Sequence, residues 1–153
     1  MDEISLFMDD NHFLSNFAIS PIELFDVIFP TAEHAYQYAK TLDPVWQKEI
    51  LNAPSAGKAK RLGAKCPMRD DWEDIKLEVM ERVLLIKFSI PYFRDQLLNT
   101  GDKTLVEGNG RHDNVWGNCT CDDCQFVKGQ NKLGIILMNV RSKFKELKSS
   151  ILE

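Results

Sequence analysis

Apolar positions recur with a helical period through the middle of the chain and again near its end, and they look strand-like only near the start. Trp72, Ile75, Val79, Met80, Val83, Leu84 and Ile86 share one spacing, which predicts a long helix over Trp72–Phe88 with Asp70 or Asp71 as its N-cap. Leu133, Leu137, Val140, Phe144 and Leu147 form a second stripe, predicting a last helix over Asn131–Lys148 that docks on the core. Shorter helices are expected over Ala32–Thr41 behind an N-cap at Thr31, over Val45–Asn52 behind Asp43 and Pro44, over Ser55–Leu62 ended by Gly63, and over Pro91–Asn99. Leu24–Phe29 is β-prone and closed by Pro30; Phe17–Ile19 is expected to pair with it as a hairpin around Ser20 and Pro21. Lys103–Val106 reads as one more strand. The pattern is α+β: a single, mainly helical domain over 1–153 with a small antiparallel sheet.

Between Gly108 and Gln130 the periodicity disappears and Gly, Asn, Asp and Cys take over. A loop this long inside a compact domain is usually functional or disordered, and the functional reading is favoured here. Nineteen Lys plus Arg against 23 Asp plus Glu leave a net charge of −4, which argues against retention on nucleic acid by bulk electrostatics. The acidic start, Met1 to Asp10, has no signal-like apolar stretch, and no apolar run approaches the roughly 20 residues of a membrane span, so a cytoplasmic protein is expected.

Three places hold candidate chemistry. Helical geometry puts Glu33, Gln37 and Lys40 within about 60° of one another, opposite Ala32, Ala35, Tyr36 and Ala39. That face is either solvated or a catalytic row; Glu33, in the first turn, is favoured as an anion by the helix dipole. Glu107–Gly117 gathers carboxylates, His112 and Trp116 around glycines that allow close backbone approach, although a surface turn with Trp116 tucked into the core fits equally well. Trp72 fits the core better than a ligand site. The first-turn amides after Gly129-Gln-Asn-Lys132 can bind a phosphate, and Lys58, Lys60 and Arg61 either add cationic donors or form a solvated helix end. Cys119, Cys121 and Cys124 are free thiols or metal ligands; zinc would need Cys66 or His112 as a fourth, and the spacing matches no standard paired Cys-x-x-Cys site, so metal is the less favoured reading.

Taken in order, Phe13-Leu-Ser-Asn-Phe17, Pro30-Thr-Ala-Glu-His-Ala-Tyr-Gln37 with Lys40, Asp71-Trp-Glu73 with Lys76, Val79-Met80, Lys87-Phe88, Leu105-Val-Glu107, Asp113 with Trp116-Gly117, and Gly129-Gln-Asn-Lys-Leu-Gly134 with Leu137-Met138 and Arg141 resemble the YbiA-like or NADAR family along nearly the whole chain. The resemblance implies an α+β N-glycosidase. Its relatives hydrolyse phosphoribosylamino-pyrimidine intermediates of riboflavin synthesis or remove ADP-ribose from guanine. It places the family's functional glutamate, tryptophans, aspartate and lysine on Glu33, Trp72, Trp116, Asp113 and Lys40, with Asn16, Gln37, Gly117 and Asn131 added as substrate-binding positions.

These residue types suit the reaction. Cleaving a ribosyl C–N bond builds positive charge on the anomeric carbon, which a carboxylate stabilises while water attacks. Glu33 and Asp113 are the preferred acid/base pair; Trp72 or Trp116 can stack the leaving base, and Lys40 either attacks the opened ribose as an amine or anchors charge. No cofactor and no catalytic metal are implied. The expected partner is a small nucleotide-like molecule, with ADP-ribosylated guanine in nucleic acid as its larger form. The competing readings are a nucleotide or ADP-ribose binding module without turnover and an interaction protein organised by a cysteine-bound metal.

Overall fold

The computed structural model describes residues 2–152. In chain order the elements are β1 (Glu3–Ile4), a 3-10 turn (Asp9–Leu14), β2 (Ile19–Leu24), β3 (Val27–Thr31), α1 (Ala32–Ala39), α2 (Pro44–Leu51), α3 (Ala56–Gly63), α4 (Trp72–Ser89), α5 (Pro91–Asn99), β4 (Thr104–Leu105), β5 (Gly108–Asn109), β6 (Asn118–Cys119) and α6 (Lys132–Leu152). The fold is α+β and mainly helical. It divides into two compact units, residues 16–90 and residues 1–15 with 91–153.

In the unit 16–90, β2 and β3 form an antiparallel hairpin, but its turn is at Phe25–Asp26 rather than at Ser20 and Pro21. Both turn residues are left-handed, φ 56° and 61°, the twist that suits a two-residue hairpin turn. Pro21 is accommodated where the register slips between Ile19 and Ile22, since proline cannot donate to a regular ladder. Ile22, Leu24 and Phe29 turn inward onto Ala32 and Ala35 of α1 and Val83 of α4. Burying a side chain such as Phe29 contributes on the order of 1.5–3 kcal/mol. The Thr31 hydroxyl caps α1 by accepting from the His34 amide at 3.1 Å, and Asp43 caps α2 by accepting from Val45 at 2.9 Å. Asp71 precedes α4 but makes no side-chain cap; its carboxylate is paired with Arg69, 2.6 Å away. Gly63 is the last residue of α3 rather than a left-handed stop beyond it.

In the other unit, β1 pairs with β4 and β5 with β6, each in parallel. β4 falls within the strand expected over Lys103–Val106, whereas β1, β5 and β6, two residues each, lie below the length at which sequence pattern identifies a strand; these parallel ladders add to the antiparallel hairpin. Helix α6 packs on α5 and β4. Leu133, Leu137 and Val140 are buried as the stripe predicts, whereas Leu147 is exposed because the distal end of α6 extends beyond its packing.

Candidate active site

Helix α1 is buried on almost every side, which removes the solvated-face reading. Glu33 is 7% exposed and Gln37 6%, despite lying opposite the alanine stripe. The Gln37 side-chain amide donates to Glu33 Oε1 at 2.9 Å, holding the carboxylate in place one turn away. The Glu33 backbone N–H donates to the Asn16 carbonyl at 3.0 Å, so the chain before the hairpin lies against the start of α1. Asn16 is itself buried, and its amide reaches the Met80 sulfur at 3.4 Å. Two buried acceptors in this cluster, Asn16 Oδ1 and Gln37 Oε1, have no protein hydrogen-bond donor. A buried polar atom without a partner costs about 1–3 kcal/mol, so such atoms mark a place where a ligand or water completes the site.

Neighbouring residues fix this helix. His34 is pinned: Nε2 donates to the Ala53 carbonyl at 3.0 Å, leaving Nδ1 to accept from the Thr31 hydroxyl at 2.7 Å. Gly63 of α3 faces Gln37, where a Cβ would collide with the Gln37 side chain. Lys40 caps the end of α1 and is half-buried; its carbonyl accepts from Arg69 N–H at 2.9 Å. Its charge pulls the Cys66 thiol pKa down, but burial outweighs it and raises that thiol above its ordinary value. Trp72 is 3% exposed, with its ring 5.1 Å from that of Tyr36, a buried aromatic pair that fits the core reading. Lys58, Lys60 and Arg61 are exposed, a solvated helix end.

The candidate row lacked Lys87, whose side chain is fully buried in α4. Desolvation lowers its amine from 10.5 to about 7. The signal was present: Lys87 is in phase with Met80 and Leu84, a lysine on a stripe where a large aliphatic residue would be expected.

The irregular segment 107–131 is knitted by side chains. Asn109 donates to the Asp113 carbonyl at 2.9 Å and to Glu107 Oε2 at 3.0 Å, and its Oδ1 accepts from the amides of Arg111 and Asp113, each at 3.2 Å. Asp113 Oδ1 accepts from Val115 and Trp116 N–H at 3.1 and 2.9 Å; its Oδ2 is 3.7 Å from Arg111, which also pairs with Glu107 at 2.8 Å. Trp116 is half-buried, and Gly117 is buried where a Cβ would strike Glu107. Asn131, left-handed at φ 49°, uses both ends of its amide: Oδ1 accepts from Glu107 N–H at 3.0 Å and Nδ2 donates to the Leu105 carbonyl at 2.9 Å. The amides of residues 130–133 donate to the carbonyls of residues 114–117, so the donors that lead into this helix are engaged by the chain itself, which disfavours the phosphate-binding reading. His112 lies with Cys119, Cys121 and Cys124, while the Cys66 thiol donates to the Gly63 carbonyl at 3.4 Å.

Among the sequence-predicted residues, Asn16, Glu33, Gln37, Lys40 and Trp72 belong to the unit 16–90, and Asp113, Trp116, Gly117 and Asn131 to the other.

A NADAR domain model matches residues 6–145. N-glycosidase YbiA of Escherichia coli is 37% identical over 138 residues, 88% of this chain and 82% of that protein. A riboflavin biosynthesis protein of Vibrio vulnificus is 38% identical over 143 residues, covering 90% of this chain and 37% of that longer protein. The NMR structure of E. coli YbiA superposes with a TM-score of 0.81 at 35% identity, over 96% of this chain and 88% of that one. With the family model spanning nearly all of it, the chain belongs to the NADAR domain family.

Proposed function

We propose that this chain is an N-glycosidase, a hydrolase of the ribosyl C–N bond in a nucleotide-like substrate, and that residues 1–153 work as one NADAR domain. The observation that carries the reading is the Glu33 carboxylate, buried in the first turn of α1 and held by Gln37, with buried acceptors lacking protein donors on the two residues bonded to Glu33, Asn16 and Gln37. Ribose hydroxyls are donors, and they match Asn16 Oδ1 and Gln37 Oε1. As the C–N bond breaks, its electron pair leaves with the nitrogen, which takes a proton; water adds to the anomeric carbon and loses one. Glu33 faces the positive charge of that transition state in a water-poor setting, where an anion stabilises most. Asp113 is the second carboxylate of the reading, Lys40 its cation or amine, and Trp116 its stacking surface. Trp72 packs on Tyr36 and supports the helix that carries Glu33.

Phosphoribosylamino-pyrimidines are the favoured substrate class, supported by the riboflavin biosynthesis relatives. ADP-ribosylated guanine, free or in nucleic acid, is the alternative with the same bond type. Among the described residues no helix is long and apolar enough to cross a membrane, and four cysteines with no disulfide, Cys66, Cys119, Cys121 and Cys124, suit the reducing cytoplasm, where we place the protein. The test is to incubate the full chain with each substrate class and measure released base and released sugar phosphate. Release from either supports the glycosidase. Saturable binding of both without release replaces it with a nucleotide-binding module.

A further inference from the structure

The segment after Asp113 contains a second constellation. His112, Cys119, Cys121 and Cys124 each offer one ligand atom, and the four atoms lie within 4.8 Å of one another. His112 Nδ1 is 3.3 Å from Cys121 Sγ and 3.5 Å from Cys124 Sγ. A tetrahedral zinc with Zn–S of about 2.3 Å and Zn–N of about 2.1 Å requires N–S edges of about 3.6 Å and S–S edges of about 3.8 Å, so the two N–S edges already match and any separation near the 4.8 Å limit would shorten by about 1 Å as the ion binds. The His112 backbone N–H donates to Cys119 Sγ at 3.3 Å, an outer hydrogen bond of the kind that orients thiolate ligands.

We propose that these four residues form a structural zinc site that clips residues 112–124 into their observed path. Soft thiolates with one imidazole in a tetrahedron select zinc among common divalent ions, and four protein ligands leave no open position for catalysis. The need is local: apart from β6, this segment has no regular secondary structure to hold it. The clip begins at the residue before Asp113, whose carboxylate sets the turn carrying Trp116, so the metal orders that turn without touching substrate. Ligand thiols release protons as the ion binds, so affinity falls as the solution is acidified.

The test uses the full chain purified without chelator. About one zinc per chain is expected by elemental analysis. Exchange for cobalt should give the intense visible spectrum of a tetrahedral ion with thiolate charge-transfer bands. Cys121→Ser and His112→Ala should lose that spectrum, while Cys66→Ser keeps it. Removing zinc should lower Tm and open the three thiols to a thiol reagent. Wild-type protein without zinc, with no tetrahedral cobalt spectrum and with three freely reactive thiols, would overturn the site, and so would unchanged metal content in both ligand variants. None of these readouts requires glycosidase activity, so the site and the proposed function fail independently.

Discussion

Helix α1 and the segment 107–131 each present a carboxylate proposed for the same chemistry, and they hold it by different means. Around Glu33 the support includes apolar packing: Ala32 and Ala35 pack on Ile22, Phe29 and Val83, and a hydrogen bond from Gln37 orients the carboxylate. Around Asp113 the support shown is polar: Asn109, Asn114, Asn118 and Asn131 bond directly to backbone groups. A packed helix tolerates conservative change at its surface but leaves its few buried polar atoms exposed to loss. A knitted loop has no such reserve, because Asn109 and Asn131 each hold more than one backbone group at once and Asn114 and Asn118 hold one each. The sharpest test of the first arrangement is Glu33→Gln, which keeps shape while removing charge. Turnover of an N-ribosyl substrate should fall by about 100-fold or more, about 3 kcal/mol of transition-state stabilisation, with little change in Tm. Near-normal turnover in the folded variant would remove Glu33 from the mechanism.

On the loop side the corresponding experiment is Asn131→Ala. It deletes the bonds to Glu107 and Leu105 and places alanine in a left-handed conformation, a combined cost of about 2–3 kcal/mol. For a chain of this size that is a fall in Tm of several degrees. Asn131→Gly, which keeps the backbone freedom, should recover part of it. A purely positioning Asn131 predicts this stability loss; a substrate-binding one predicts a raised KM in a protein of unchanged Tm, and thermal unfolding beside steady-state kinetics separates them.

The same contrast sets what could be read in advance. Helices α1 to α6 follow from periodicity and caps, because burial of one stripe is a property of the local sequence. The hairpin turn at Phe25–Asp26 was not legible: neither residue is glycine, and the pairing of Ile22 with Phe29 overrides the Ser20-Pro21 turn signal. The burial of Glu33 and Gln37 was hidden for a related reason. Periodicity identifies the alanine face of α1, but α3 covers Gln37 through Gly63, a contact between residues 26 positions apart. In the loop, Cys119, Cys121 and Cys124 were visible as a group, while the choice of His112 over Cys66 depends on the path of the chain and not on spacing.

Lys87 tests how much polarity the packed unit tolerates. Burial holds its amine at about 7 against an ordinary 10.5, so between those values the unfolded chain binds the extra proton and stability rises with pH. Below about pH 7 both states are protonated and the full penalty of the buried charge is present. The Tm of Lys87→Met relative to wild type should therefore be highest in mildly acidic buffer and should fall as pH climbs toward the unfolded value. Thermal unfolding of both proteins across that range measures it. A difference in Tm that does not change with pH would show that the buried amine does not titrate as described.

The smallest expected effect is at Gly63, where stability and activity are predicted to part. Glycine in a helix is disfavoured by about 1 kcal/mol relative to alanine, so Gly63→Ala gains intrinsic helix stability in α3. The new Cβ meets the Gln37 side chain, however, and overpacking of this kind costs about 1–3 kcal/mol unless the neighbour moves. Gln37 is a flexible side chain and yields by leaving its bond to Glu33 Oε1. The net change in Tm is then small, while Glu33 loses the Gln37 hydrogen bond and turnover drops by about 10-fold, the scale of one hydrogen bond to a charged group. Because Gly63 acts through Gln37, Gly63→Ala should have almost no further effect on turnover in a Gln37→Ala background, where the obstructed side chain is already gone. Additive losses in that double-mutant cycle would mean that Gly63 reaches the carboxylate by another route, and that α3 positions α1 as a whole rather than through this single contact.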